Sequence, residues 1–360
     1  MKNILKLTFA SIAFLSLSTA CSDGYIDDIT EVAAGEDKAA PVINIVSPNV
    51  AKTLIHPKEN TMNAVLEYTV SDDIEIAQID VYLDGQKISS HTSFLDYRNY
   101  KESLSKSLGL GNHIIKIDAK DTSGKTSSKI FNFNITNIYT PLFDGEKAYF
   151  AFFSGTNSRF TEYLSANDPT VVGTPSTIAA GKSGAAFQGA SNSYLSYPLT
   201  GLYSTNGISF TFWYKVNAAP DRAGIITIND NTNNSDENRN QGLRIFREGN
   251  GTTQRIKMNL GVGGAESWND GGEITVAANT WVHVAVTVSP TQSKIYFNGV
   301  LKNTATYSTP FDFSTSTNMV IGSGAPSFTY WNHLSDLSQI DEVRVYNKAL
   351  IESEIQATMQ

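Results

Sequence analysis

Apolar residues recur at every second position through much of this chain. In GISFTFWYKV, Ile208, Phe210, Phe212, Tyr214 and Val216 share one face, and in TWVHVAVTVS so do Val282, Val284, Val286 and Val288. A period of two marks a strand with one buried face. KIYFNGVLKNTATY turns at Asn298-Gly299, a residue pair suited to the tight type I′ turn of a hairpin. Only the end of the chain changes period. IDEVRVYNKALIESEIQ reads as a strand followed by a short polar helix, with Asn347 as the expected cap and Glu352 and Glu354 on the helix.

The N-terminal stretch carries the same period. PVINIVSPN and NAVLEYTVSDD alternate, AQIDVYLDGQKI turns at Asp84-Gly85, and GNHIIKIDAKDTSGKTSSKIFNFNI turns at Ser123-Gly124. Ile115, Ile117 and Ala119 share one face, and Phe131, Phe133 and Ile135 another. About seven short strands predict a sandwich over residues 40–137. The run LGNHIIKIDAKDTSG resembles the penultimate strand and turn of bacterial immunoglobulin-like domains, in their form without cysteines. Asp72, Asp73 and Glu75 have the chemistry of a calcium cluster, but a solvated loop is the preferred reading.

Composition narrows the function. A chain of 360 residues with 41% hydrophobic content fits two globular domains. A net charge of −8 with no basic patch argues against nucleic acid. Cys21 is the only cysteine, so no disulfide forms within the chain. It follows MKNILKLTFASIAFLSLSTA, which has the charged start and apolar run of a secretory signal over residues 1–20. Ser18-Thr19-Ala20-Cys21 resembles a bacterial lipobox, although Leu17 lies one place further from the Cys than the pattern prefers. That resemblance implies acylation of Cys21 and a membrane link through lipid alone. Residues 21–39 read as an acidic tether. Asp23, Asp27 and Asp28 resemble the surface-export signal of Bacteroidetes lipoproteins, which implies display on the outside of the outer membrane.

The ordered set GAAFQGASNSYLSYP, GISFTFWYKV, TWVHVAVTV, KIYFNGVL and IDEVRVYNKALIESEI resembles laminin-G-like, concanavalin A-type jelly rolls of bacterial surface proteins. The expected fold is therefore all-β: an immunoglobulin-like β-sandwich, then a jelly roll over residues 138–360. The chain departs from the family pattern at Gln188 and Ser154, where an Asp is common. Those departures weaken any calcium site implied by the resemblance. Asp341 is weighed as a metal ligand, with a structural role preferred. No metal and no cofactor is expected.

Sugar recognition needs aromatic rings against apolar C–H faces and polar groups for the hydroxyls. Trp213 and Trp281 lie in strand motifs and are expected to pack. Trp268, in GVGGAESWNDGGE, and Trp331, in SFTYWNHLSD, read as loop or loop-edge residues with polar neighbours. The candidate glycan-binding set is Trp331, Trp268, Tyr330, Asn332, His333 and Asp270. The polar loop from Asn229 to Gly242, with Arg239, adds reach; Arg244 and Arg247 are weaker candidates, and His283 is expected to be structural. Laminarinase-like glycosidases share this fold and carry a Glu-x-Asp-x-x-Glu strand. The nearest match, Glu266, Asp270 and Glu273, has different spacing and two intervening glycines. The expected function is glycan capture without catalysis. It resembles that of accessory glycan-binding lipoproteins of polysaccharide-utilisation systems, with an outer-membrane importer and surface glycosidases as expected neighbours. An adhesin or structural protein that binds another protein is the alternative, and a glycosidase is less favoured.

Overall fold

The computed structural model describes residues 35–153, 159–230, 239–329 and 331–360. Cys21, the signal segment, most of the tether, Ser154 and Tyr330 lie outside the described residues, as do residues 231–238 of the polar loop. The described chain is all-β apart from short helical turns, as the alternation predicts.

The N-terminal strands are β1 (Val42–Ser47), β2 (Lys52–Leu54), β3 (Thr61–Ser71), β4 (Ile76–Leu83), β5 (Gln86–His91), β6 (Asn99–Gly109), β7 (Gly111–Asp121) and β8 (Thr126–Thr136). They form two sheets, ordered β1-β3-β6 and β2-β8-β7-β4-β5. Strand β3 buries Ala64, Leu66, Tyr68 and Val70; β7 buries Ile115, Ile117 and Ala119. Asp84 and Gly85 both take positive φ, 50° and 80°, as the β4–β5 turn requires. Asp72 Oδ2 accepts the backbone N–H groups of Ile74 and Glu75 at 3.0 and 2.8 Å, so this carboxylate closes a turn. The SDDIE run is thus a loop, and its first carboxylate has a structural task.

The C-terminal strands are β9 (Glu146–Phe150), β10 (Thr170–Val172), β11 (Ser176–Ile178), β12 (Ala186–Gln188), β13 (Tyr194–Pro198), β14 (Ile208–Lys215), β15 (Arg222–Asp230), β16 (Leu243–Gly249), β17 (Thr253–Val262), β18 (Ala265–Thr275), β19 (Val282–Val288), β20 (Gln292–Phe297), β21 (Val300–Thr306), β22 (Ser316–Ile321) and β23 (Gln339–Tyr346). One sheet runs β10-β13-β22-β15-β16-β17-β18. The other runs β11-β12-β23-β14-β19-β20-β21, with β9 paired to β23. Phe210, Phe212, Tyr214, Val284, Val286 and Val288 from the second sheet share one core with Ile226, Ile245, Met258, Leu260 and Met319 from the first. Each such side chain contributes roughly 1.5–3 kcal/mol on full burial.

Two departures from simple alternation matter. In β23, Ile340 points into the core, but so do Val343 and Val345. A bulge shifts the register against β14, and Glu342 within it takes φ 52°. The helix α1 (Glu352–Ala357) begins later than expected. Its cap is not Asn347: the Glu354 carboxylate reaches back to the Ile351 N–H at 3.1 Å. Residues 347–350 are held by tertiary contacts instead. Ser204 Oγ donates to Asn347 O, and Ser209 Oγ donates to Lys348 O and accepts from Leu350 N–H.

Candidate functional site

Trp268 lies in strand β18, not in a loop. The glycines that suggested a loop have other jobs. Gly263 and Gly264, at φ 60° and 82°, make the β17–β18 turn, and Gly271, at φ 45°, sits in a bulge after Asn269. Trp268 pairs with Asn259 of β17, which pairs with Arg244 of β16. This row faces away from the core, because Leu243, Ile245, Met258 and Leu260 occupy the alternate positions and point inward.

Trp331 comes to the same face from the loop joining β22 to β23. Its ring centroid is 5.5 Å from that of Trp268, with the planes 33° apart. Both rings are half-buried. Beneath them lie Phe246 and Phe328, both fully buried. Phe246 meets Trp268 edge-on at 6.1 Å, and Phe328 meets Trp331 edge-on at 6.2 Å. The two tryptophans placed apart by sequence therefore form one pair on a rigid aromatic base. Phe246 and Phe328 were missed. In the sequence, the signal for Phe246 was its place in LRIFREG, on the opposite face to Leu243 and Ile245.

Charged groups ring the pair. The Arg239 guanidinium lies 4.8 Å from the centre of the Trp331 ring and 3.4 Å from the Glu266 carboxylate. Glu266 also accepts from Asn259 Nδ2, and Asn259 Oδ1 accepts from buried Arg244. Asp270 is exposed and pairs with Lys257 at 3.0 Å, while Lys257 also holds Glu248. Asn332 is exposed, with φ 60°.

His333 is placed differently. It is 1% exposed and stacks flat on Phe328 with centroids 4.7 Å apart. Its Nε2 is 3.5 Å from Glu248, and neither ring nitrogen has a hydrogen-bond partner among the described residues. Burial pushes its pKa down to about 4. His333 thus supports the rings from below rather than reaching the surface. Arg244 and Arg247 are likewise buried. Arg247 pairs at 3.0 Å with Asp336, which also accepts from Tyr214 OH. His283 is buried and bonded to Thr358. Trp213 and Trp281 are half-buried, and Trp213 meets His283 edge-on. Asp341 is buried and accepts three backbone N–H groups, from Lys182, Ser183 and Glu342. Among the described residues no cluster of three or more His, Cys, Asp or Glu side chains is placed to hold a metal.

Residues 188–356 match the model of the concanavalin A-like lectin/glucanases superfamily. Trp268, Trp331 and their charged neighbours all fall within this concanavalin A-like domain. No curated protein matches the sequence. Among solved structures, the chain is similar to domain 4 of AbnA, a GH43 extracellular arabinanase from Geobacillus stearothermophilus, in complex with arabinotriose. Identity is 21% over 60% of this chain and 98% of that one, at a TM-score of 0.44. It is also similar to the botulinum neurotoxin serotype C1 binding domain, at 14% identity over 59% of this chain and 51% of that one, with a TM-score of 0.41.

Proposed function

We propose that this protein is a lipid-anchored, cell-surface glycan-binding protein that captures polysaccharide or host glycan without catalysis. The observation that carries the reading is the Trp268–Trp331 pair, half-buried on the outer face of the seven-stranded sheet. A sugar ring offers C–H groups that pack on such faces, and its hydroxyls need directional partners. Arg239, Glu266, Asn332 and Asp270 supply donors and acceptors around the rim. Buried Phe246, Phe328 and His333 fix the rings in place before any ligand arrives, which lowers the ordering cost of binding.

The charges support capture rather than hydrolysis. Glycosidases need two carboxyl groups with different protonation facing one bond. Here Glu266, Asp270 and Glu273 are each held by a cation: Arg239, Lys257 and Arg255. The anchor at Cys21, the tether and the surface location rest on the sequence. So does the setting, beside an outer-membrane importer and surface glycosidases.

The test is a glycan array on the wild type and on Trp268→Ala and Trp331→Ala. The expected outcome is binding to a defined glycan family, weakened at least about tenfold in each variant, or about 1.4 kcal/mol. Each variant should lose some stability, because a half-buried ring loses both its aromatic contact, roughly 0.5–1.5 kcal/mol, and part of its buried area, but should remain folded at the temperature of the assay, checked by thermal unfolding. Full sugar affinity in both variants would overturn the site. A silent array with a protein ligand found instead would favour the adhesin.

A further inference from the structure

Away from the tryptophan pair, a concavity of about 590 Å³ opens on the same domain, within the roughly 300–1,000 Å³ typical of ligand sites. Lys215, the last residue of β14, lines it with Asn217 and Asn279 and with the apolar side chains of Val216, Val276 and Leu337. Its lining holds one cation and no carboxylate. Lys215 pairs across the strands with Gln339, and Gln339 with Gln188. Those two amides are locked together: Gln339 Nε2 donates to Gln188 Oε1 at 3.1 Å, and Gln188 Nε2 donates to Leu337 O at 2.8 Å. The wall beside Lys215 is therefore neutral and rigid.

Lys257, Arg255, Arg344 and Lys348 each rest on a carboxylate. Half-buried Lys215 has no ion pair among the described residues, in a chain whose net charge is −8. Lys147, Lys182, Lys294 and Lys302 also have no ion pair among the described residues, and what sets Lys215 apart from them is the groove it lines. A cation beside neutral amides, in a groove that holds no carboxylate, is open to an anion from outside. A single positive charge within an acidic protein suits one carboxylate, whereas a phosphate-rich polyanion is repelled by the remainder. The exposed Asn279 amide both donates and accepts, as sugar hydroxyls do. Asn217 Oδ1 already accepts from Ala219 N–H at 3.0 Å and its Nδ2 reaches Leu337 O at 3.5 Å, which leaves it one lone pair and one N–H to offer. The aliphatic patch fits the C–H side of a ring.

We propose that this groove binds a carboxylate-bearing sugar residue, a hexuronic or a sialic acid, within an otherwise neutral glycan. Lys215 takes the carboxylate, and Asn217 and Asn279 take ring hydroxyls. The proposal does not rest on the tryptophan platform.

The experiment is an NMR titration of the intact protein with two matched pairs: 3′-sialyllactose against lactose, and a glucuronic-acid-bearing xylo-oligosaccharide against its unsubstituted form. At least one acidic member should bind at least tenfold tighter than its neutral partner. Whichever does so identifies the source of the acid. Lys215→Gln should remove that preference, and Ala277→Phe, which fills the groove, should remove binding there. The Trp268→Ala/Trp331→Ala double variant should keep the preference, which separates failure of this site from failure of the platform. Equal binding of acidic and neutral members in both pairs, or a preference that survives Lys215→Gln, would overturn the proposal.

Discussion

His333 and His283 are both buried as neutral rings, and burial holds the pKa of each at about 4, well below its ordinary 6.5. A group whose pKa is lowered by folding stabilises the fold above its unfolded pKa and loses that stabilisation as pH falls through the folded one. Both histidines therefore favour the folded state above about pH 6.5 and cease to do so as pH drops towards 4. Asp341 has the opposite sign: burial raises its pKa to about 7, so its contribution is present at low pH and fades as pH rises. The charged groups nearest His333 are Glu248, which favours its protonation, and Arg222 and Lys257, which oppose it. Replacing His333 with Phe keeps a flat ring against Phe328 and removes the proton site. Denaturant unfolding at pH 7 and pH 4.5 should show the wild type losing more stability than His333→Phe. An equal loss in both would mean that folding does not lower the pKa of His333.

The element that makes the site is the loop between β22 and β23, and its path depends on two glycines. Gly224 of β15 donates its N–H to Leu334 O at 3.0 Å, and Gly324 O accepts from Phe328 N–H at 2.7 Å. A Cβ on Gly324 would lie 2.0 Å from His333 O, and one on Gly224 would lie 2.1 Å from Gly324 N. Both are backbone atoms that cannot swing aside. Gly324→Ala should therefore push the Trp331 end of the loop off the sheet, at a cost of order 1–3 kcal/mol. Glycan binding should fall with it, while far-UV circular dichroism stays that of a β protein. Unchanged binding in that variant would show that the loop does not set the position of Trp331. Sequence made the strands legible, because alternation in GISFTFWYKV or TWVHVAVTVS depends only on a buried face. It also named Trp268 and Trp331 as candidates from their polar settings, and the structure places the two rings side by side. What it did not reveal depends on contacts distant in the chain. The β23 bulge reverses which residues face inward. Ser204 and Ser209 hold the segment where a helix start was expected. The glycines around Trp268 serve a turn and a bulge, although clustered glycines alone read as loop. That the two tryptophans meet required knowing that β18 and the β22–β23 loop share one face.

At the scale of the whole molecule, the proposed function joins a modest tryptophan platform to an anchor. A platform of two tryptophans, open on one side, gives a weak contact with any one sugar segment, because most of the ligand stays in water. Capture of a polymer does not need more if many copies stand on one surface. Once one copy holds the chain, the next binds it at a raised local concentration, and avidity exceeds the single-site affinity by roughly 10²–10⁴ without any new contact. The tether expected at residues 21–39 would set the reach of each copy, and the lipid at Cys21 would set their density. The comparison to make is between acylated protein on lipid vesicles and the soluble Cys21→Ser form. A short oligosaccharide, able to occupy one copy only, should bind both forms alike. The long polysaccharide should bind the vesicles at least about a hundredfold tighter, and that gain should shrink as the protein is diluted in the bilayer. Equal polysaccharide affinity in both forms, at a density where copies are close enough to share one chain, would mean that anchoring adds nothing to capture. A different role for the anchor would then be needed.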